Sequence, residues 1–347
     1  MQDLERKDQV IQTEEVRLRF KERLPLSKYQ VVITGGLSGI GKTTADLLFE
    51  FGADVIALSH DPEKIKYTST QVFPQSFQPY ELDLEKLANG EGESFDQQVT
   101  NLAQIKSAIR KNGKPVILIH SAAGGLEKMT SSSELLRALL VYQKAKVSDR
   151  EAKAAEVSAI CQRFYQTSID VANKVNYLGP EKLTESLLDV MPEESWVIDL
   201  SSLWTTYLGK EGIEVPLFYK IIAETKKRFE DYLHKNAGTW KAKEVKTAVI
   251  SGHLIPDTPT GNALTKFMDK LPQDVLPKID KDTLPTMRDM AAAVLWLLSG
   301  DTRIQPGEDG VHELFVFGKG YVRRSLSKEQ FGQFAAIKLP FKQVTSS

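Results

Sequence analysis

The stretch Thr34-Gly35-Gly36-Leu37-Ser38-Gly39-Ile40-Gly41-Lys42 joins a run of strand-forming residues, Val31-Val32-Ile33, to a stretch of helical pattern. Gly35 permits a tight turn, Gly39 lets a pyrophosphate approach the backbone, and Gly41 lets helix pack closely on strand. The helix N-terminus adds free N–H groups and the positive end of its dipole, which together hold phosphate. Leu37, Ser38 and Ile40 complete the turn. A glycine triplet alone is weak evidence. Here a second strand-like run, Asp54–Ser59, follows at the distance that a dinucleotide-binding unit requires. The tip of that run bears on which dinucleotide binds. An acidic residue there would hold the ribose hydroxyls of NAD. Ser59 takes that place and does not repel a 2′-phosphate, while His60, Lys64 and Lys66 can attract one, so NADP(H) is expected over NAD(H). Asp61, two residues on, pulls the other way, and His60 can equally be an exposed loop histidine. Asp83, followed by Leu84, stands where a contact to the adenine edge is expected.

The elements that must position this turn follow from hydrophobic patterning. Apolar runs at Gln30–Thr34, Asp54–Ser59, Gln78–Asp83, Pro115–Ser121, Ser195–Ser201, Lys246–Gly252 and Glu313–Gly318 suit strands buried on both faces. Helical stretches separate them: Lys42–Phe51, Gln97–Asn112, Ser132–Val147, Asp149–Val190, Lys220–Asn236 and Met287–Leu298. The alternation predicts an α/β, three-layer Rossmann fold with a doubly wound, seven-stranded parallel sheet. Residues 1–28 read as an N-terminal helical leader, and residues 29–347 as one domain with a helical insertion over about 127–174. That insertion is either an interface or substrate cover, or merely an elongated helix.

Charge and cysteine usage narrow the function classes. Lys and Arg number 45 against 46 Asp and Glu, a balance that gives no electrostatic footprint for nucleic acid or an anionic membrane. The single cysteine, Cys161, makes no internal disulfide and no cysteine-built metal site, and no paired histidine spacing suggests a metal. Met290–Leu298, the longest apolar run, is far too short to span a bilayer. The N-terminal residues lack an apolar signal core, so a cytoplasmic location is expected.

On the motif Thr34-Gly35-x-x-x-Gly39-Ile40-Gly41, the chain resembles the short-chain dehydrogenase/reductase family, over roughly residues 29–320. Asn176 in Val175-Asn176-Tyr177-Leu178-Gly179 is similar to that family's mid-helix asparagine, and Ile198-Asp199-Leu200-Ser201-Ser202 to its fifth strand. The ordinary Tyr-x-x-x-Lys is absent. Lys226 matches the family lysine by context, but Ile222 stands four residues before it and Tyr219 seven before. The wider spacing resembles the divergent branch of enoyl-acyl-carrier-protein reductases, with Ile222 replacing their methionine. His120-Ser121, followed by Ala122 and Ala123, and Ile250-Ser251-Gly252-His253-Leu254-Ile255 also resemble that branch. The glycine spacing is instead the ordinary form, and the interval from Ser202 to Tyr219 is longer than in either branch.

The resemblance implies hydride transfer, which needs a group to take up negative charge developing on oxygen. Tyr219 is the candidate. Residues seven apart lie on one helix face two turns apart, so Lys226 can favour the phenolate. Ser202 can hydrogen-bond the substrate oxygen, with Ser201 on the opposite face. Asn176 is either a proton-relay residue or a satisfied helix-kink asparagine. Ser121 is expected beside the nicotinamide, Ile255 on its carboxamide and Thr258 near phosphate; His253 is expected to be a loop residue. The expected activity is NADPH-dependent reduction of an enoyl thioester or related carbonyl. A 3-oxoacyl or other ketone reductase is the alternative, and a non-catalytic dinucleotide sensor or scaffold the second. The substrate is small or carrier-bound, and the chain is expected to form a homodimer or homotetramer.

Overall fold

The computed structural model describes residues 10–12, 26–70, 76–124, 132–209, 217–252, 255, 257–258, 261–262, 284–301, 304–318 and 321–323. Nine strands form one sheet: β1 (Val10–Gln12), β2 (Gln30–Thr34), β3 (Asp54–Ser59), β4 (Phe77–Glu81), β5 (Val116–His120), β6 (Trp196–Ser202), β7 (Lys246–Gly252), β8 (Val311–Gly318) and β9 (Tyr321–Arg323). Their spatial order is β1-β9-β8-β7-β6-β5-β2-β3-β4. The seven strands β2 to β8 run parallel, as the apolar runs predict. Two short antiparallel strands extend the sheet beyond that expectation. β9 pairs with β8, and β1 pairs with β9 through Val10↔Arg323 and Ile11↔Val322. The leader is therefore corrected where it is described: Val10–Gln12 is extended rather than helical, and its backbone groups bond to an edge strand.

Alternation along each strand divides the core in two. Val31, Ile33, Val55, Ala57, Ile117, Ile119, Ile198, Leu200, Ala248 and Ile250 pack on one face. There they meet α1 (Gly39–Glu50) and α9 (Met287–Leu298). Val32, Ile56, Leu58, Val116, Leu118, Val197 and Val249 point to the other face. Along the chain between α1 and α9 come α2 (Pro62–Thr70), α3 (Leu84–Asn89), α4 (Glu93–Asn112), α5 (Ser133–Lys144), α6 (Arg150–Asn173), α7 (Gly179–Leu187) and α8 (Leu217–Lys241). Of these, α4, α7 and α8 supply the second core, with Leu102, Ile105, Ile109, Leu183, Leu187, Phe229 and Leu233. Helix α9 is buried all round from Met290 to Leu298, and a reciprocal capping box between Thr286 and Asp289 starts it.

The chain runs β2, β3, β4 in one direction and returns with β5 on the other side of β2. The carboxyl ends of β2 and β5 therefore flank a crevice at a topological switch point, where ligands bind open α/β sheets. The expected helix Asp149–Val190 is in fact α6 and α7 joined by a π-turn at Lys174–Leu178. The expected insertion contains α5 and α6.

Phe229 is fully buried, with its ring against His120 (centroids 4.8 Å apart) and Tyr232 (5.8 Å). Phe229→Ala should cost about 3–5 kcal/mol in urea unfolding, while Phe229→Leu should cost clearly less because less volume is lost. Equal costs would show that the space around this ring collapses.

Candidate active site

The nucleotide turn is built as the glycine pattern requires. Gly35 and Gly39 have φ of +65° and +53°, where side chains are strained. A Cβ on Gly41 would lie 2.4 Å from the Gly35 carbonyl oxygen, so the start of α1 sits directly on the turn. Ser38 precedes α1 without using its side chain as a cap, which leaves the first amide groups of the helix available to an anion. Thr34, at the end of β2, fastens the opposite wall: its Oγ1 accepts from the backbone N–H of Ser121 (2.9 Å) and of Ala122 (3.1 Å). Ser121 Oγ is buried without a hydrogen-bond partner and lies 3.0 Å from where a Gly41 Cβ would stand. Positive-φ glycines, an open helix N-terminus and an orphaned hydroxyl beside the turn fit a dinucleotide at this crevice. Ala123 is exposed next to them.

On the adenosine side, side chains that could meet the ligand also shape the loops. Ser59 is buried and accepts from Asp61 N–H (3.1 Å). Asp61 Oδ1 accepts from the N–H groups of Glu63 and Lys64, and its carboxylate pairs with Lys64 at 3.3 Å. The Lys64 backbone hydrogen bond leads the causes that hold this carboxyl below its usual range. His60 is exposed. Asp83 caps α3, accepting from Glu85 N–H (3.0 Å) and Lys86 N–H (3.2 Å), and the buried Leu84 starts that helix. At the other wall, the hydroxyl of Thr258 donates to the Ile255 carbonyl (2.9 Å) and accepts from Gly261 N–H (2.8 Å), closing a local turn. His253 lies outside the described residues.

Lys226 lies on α8 and is buried against β6, its Nζ 3.3 Å from Asp199 Oδ1. Asp199 is 1% exposed, and its other oxygen has no hydrogen-bond partner. Burial outweighs the attraction of Lys226 and holds the Asp199 carboxyl above its usual range. His120 stands opposite Asp199 in the β5–β6 register. Its Nε2 lies 2.9 Å from Thr184 Oγ1, whose own proton goes to the Pro180 carbonyl, so His120 carries its hydrogen on Nε2. Burial first, and the Lys226 charge second, lower the imidazole to about 3, so His120 is neutral at ordinary pH.

Asn176 sits in the π-turn and is fully buried. Its Nδ2 donates to the Gly124 carbonyl (3.1 Å) and to Thr225 Oγ1 (2.9 Å), and its Oδ1 accepts from Gly124 N–H (3.0 Å). The side chain thus clamps the loop after β5 to α8. Ser202, half-buried at the end of β6, accepts from Trp204 N–H at 3.4 Å, and its hydroxyl proton remains available. Ser201 points away into the core, as alternation predicts, and donates to Glu230 Oε1 at 2.5 Å. Tyr219 lies in the first turn of α8, two turns before Lys226; its side chain is outside the described residues.

Sequence reasoning missed Asp199, Glu230, Thr34 and Thr225. A carboxylate within the apolar run Val197-Ile198-Asp199-Leu200 was the available signal, because a charge in a buried strand requires a partner. Glu230, one helical turn after Lys226, offered the same clue.

Two predictions follow from this geometry. Gly41→Ala should weaken NADPH binding at least about tenfold, equivalent to about 1.4 kcal/mol, in a fluorescence titration with folding checked by circular dichroism; unchanged affinity would place the ligand elsewhere. Lys226→Met should destabilise by about 3–5 kcal/mol at neutral pH, because Asp199 is left buried and unpaired. That loss should shrink as pH falls and Asp199 takes up a proton, and Asp199→Asn added to Lys226→Met should recover much of it in denaturant unfolding.

No family model matches the sequence, and no curated protein matches it. Among solved structures, the chain is similar to the 3-ketoacyl-(acyl-carrier-protein) reductase from Brucella melitensis complexed with NADH. The TM-score is 0.53 and the identity 17%, with 84% of this chain and 97% of that chain covered. A short chain dehydrogenase from Salmonella enterica serovar Typhi gives a TM-score of 0.53 at 18% identity, with the same coverage of 84% and 97%. ElxO with NADP bound matches at TM-score 0.53 and 18% identity, again covering 84% and 97%. At such identities the likeness is one of fold.

Proposed function

We propose that this chain, which has the short-chain dehydrogenase/reductase fold, is an NADPH-dependent reductase of an enoyl thioester or a related α,β-unsaturated carbonyl. The observation that carries the reading is Lys226: a buried ammonium held by Asp199, on the helix that begins with Tyr219 and beside the strand that ends in Ser202. Bound NADPH supplies the hydride. The glycine turn and the N-terminus of α1 hold the pyrophosphate. Ser121 Oγ offers a hydrogen bond at the nicotinamide end, with the loop around Ala122, Ala123 and Ile255 forming its wall. Capping engages Oδ1 of Asp61 and Lys64 faces its other oxygen, which supports NADP(H) over NAD(H), because this carboxylate is then less free to claim the ribose hydroxyls.

Tyr219 donates the proton as negative charge develops on the substrate oxygen. A free phenol has a pKa of about 10, and the Lys226 charge eases that donation by favouring the phenolate. Ser202 donates a hydrogen bond to the same oxygen. Asn176 acts by fixing α8 against the loop after β5 rather than by passing a proton, since its amide is fully engaged. The substrate is an acyl thioester, free or carrier-borne.

A second reading, reduction of a 3-oxoacyl thioester, is favoured by the ordinary Gly35/Gly39/Gly41 spacing and by the activity named for the Brucella structure. The two differ in where hydride lands, at the β-carbon or at the carbonyl carbon.

NADPH oxidation with a panel of enoyl and 3-oxoacyl thioesters separates them. Enoyl turnover should be abolished in Tyr219→Phe while NADPH binding persists. Turnover of only the 3-oxo substrates would move the activity to ketone reduction. Tight NADPH binding with no turnover of either class would instead favour a non-catalytic sensor, and unaltered activity in Tyr219→Phe would remove Tyr219 from the mechanism.

A further inference from the structure

We propose that Glu230 is a positioning residue, a protonated carboxyl that pins the turn carrying Ser202 and releases it on losing the proton. The role of the turn in catalysis rests on the reading of Ser202 given above; the protonation of Glu230 rests on hydrogen-bond geometry together with burial and is independent of that reading. The hydroxyl of Thr205 has one proton and two acceptors in reach, the Ser202 carbonyl at 2.8 Å and Glu230 Oε1 at 2.7 Å. Ser201 Oγ donates to the same Oε1. If Glu230 is ionised, Thr205 satisfies only one neighbour, and the other contact sets acceptor against acceptor in a buried site. A proton on Oε1 completes a chain: Ser201 donates to Glu230, Glu230 to Thr205, and Thr205 to the Ser202 carbonyl.

The surroundings favour that form. Glu230 is 6% exposed. Burial pushes its carboxyl up to about 7, and the like charge of Asp199 on β6 adds to the rise. The Ser201 and Thr205 hydroxyls and Lys227 oppose it, Lys227 Nζ lying 4.0 Å from Oε2. Lys226, on the same helix, is engaged by Asp199. Residues 203–206 of the turn and 247–252 of β7 contain no Asp, Glu, Lys, Arg or His. The chain therefore links α8 to both sides of Ser202, through Ser201 and through the Ser202 carbonyl. Losing the carboxyl proton leaves Thr205 one proton for two acceptors, so the chain from Glu230 to the Ser202 carbonyl is broken at one of its two links and the Ser202 hydroxyl loses its fixed position.

Because the folded-state pKa lies above that of an unfolded glutamate, the native state binds the extra proton. Stability from this group is full below about pH 4.5 and lost as pH rises through about 7. Glu230→Gln keeps the volume and has no proton to lose; no single amide atom can both accept from Ser201 and donate to Thr205, so the comparison rests on pH dependence rather than on absolute stability. Melting curves of wild type and Glu230→Gln, recorded from about pH 5 to about pH 8, decide the protonation. The variant's Tm should gain about 4 °C on wild type across that range; parallel curves would overturn the proposal. In the thioester assay, wild-type kcat should fall on the alkaline side more steeply than that of Glu230→Gln. Identical alkaline limbs would overturn the positioning role even if the melting curves diverge. Absence of turnover in every variant would overturn the positioning role together with the reductase reading, while the melting curves would still judge the carboxyl.

Discussion

Lys226 carries a charge into the seam between α8 and β6, and an unpaired ammonium there would be costly enough to push the helix off the sheet. Asp199 makes the burial tolerable. It does so from the middle of a central strand, flanked by Ile198 and Leu200, so the helix registers on the sheet through this one contact as well as through Phe229 and Leu233. Burial is the larger influence on the neighbouring groups, and this pair adds to it. His120, opposite Asp199, is held neutral, and Glu230, one turn further along α8, sits in a field that already contains a carboxylate.

The second constraint is steric. The crevice exists because chain order reverses between β2 and β5, but a reversal by itself leaves only a gap. Thr34 turns it into a defined wall by taking two backbone N–H groups from the chain leaving β5. Gly41 brings the helix so near the turn that no side chain fits between them. Asn176 does at the other end what Thr34 does here, holding Gly124 against α8 through a side chain that the π-turn projects inward. Loop geometry around the crevice is thus set by two side-chain-to-backbone clamps, Thr34 and Asn176, and by the close approach at Gly41.

The differences from the short-chain dehydrogenase/reductase pattern fall between Ser202 and Ile222, away from the glycine turn. Ile222 replaces a tyrosine on the helix face, and the interval from Ser202 to Tyr219 is extended. The nucleotide side keeps ordinary spacing. Such a division is physically sensible, since a turn shaped to hold a pyrophosphate tolerates little change in its backbone, whereas the rest of a crevice can vary with what it admits.

Much of this was legible from residue order. Strands β2, β3 and β7 and helix α9 have the bounds that their apolar runs predict, because a strand buried on both faces and a helix buried all round leave a local pattern. Gly35, Gly39 and Gly41 could be given tasks because turn geometry is also local. Tertiary structure alone decided the partners of charges and hydroxyls. Lys226 meets Asp199 across 27 positions, Glu230 meets Ser201 across 29, and Thr34 meets Ser121 across 87. No periodicity encodes such distances. The same holds for Val10–Gln12, whose charged flanks suggest a surface helix but whose backbone pairs with residues 321–323 at the far end of the chain. Propensity reflects a residue's near neighbours, whereas a hydrogen bond or ion pair depends on what the fold brings alongside.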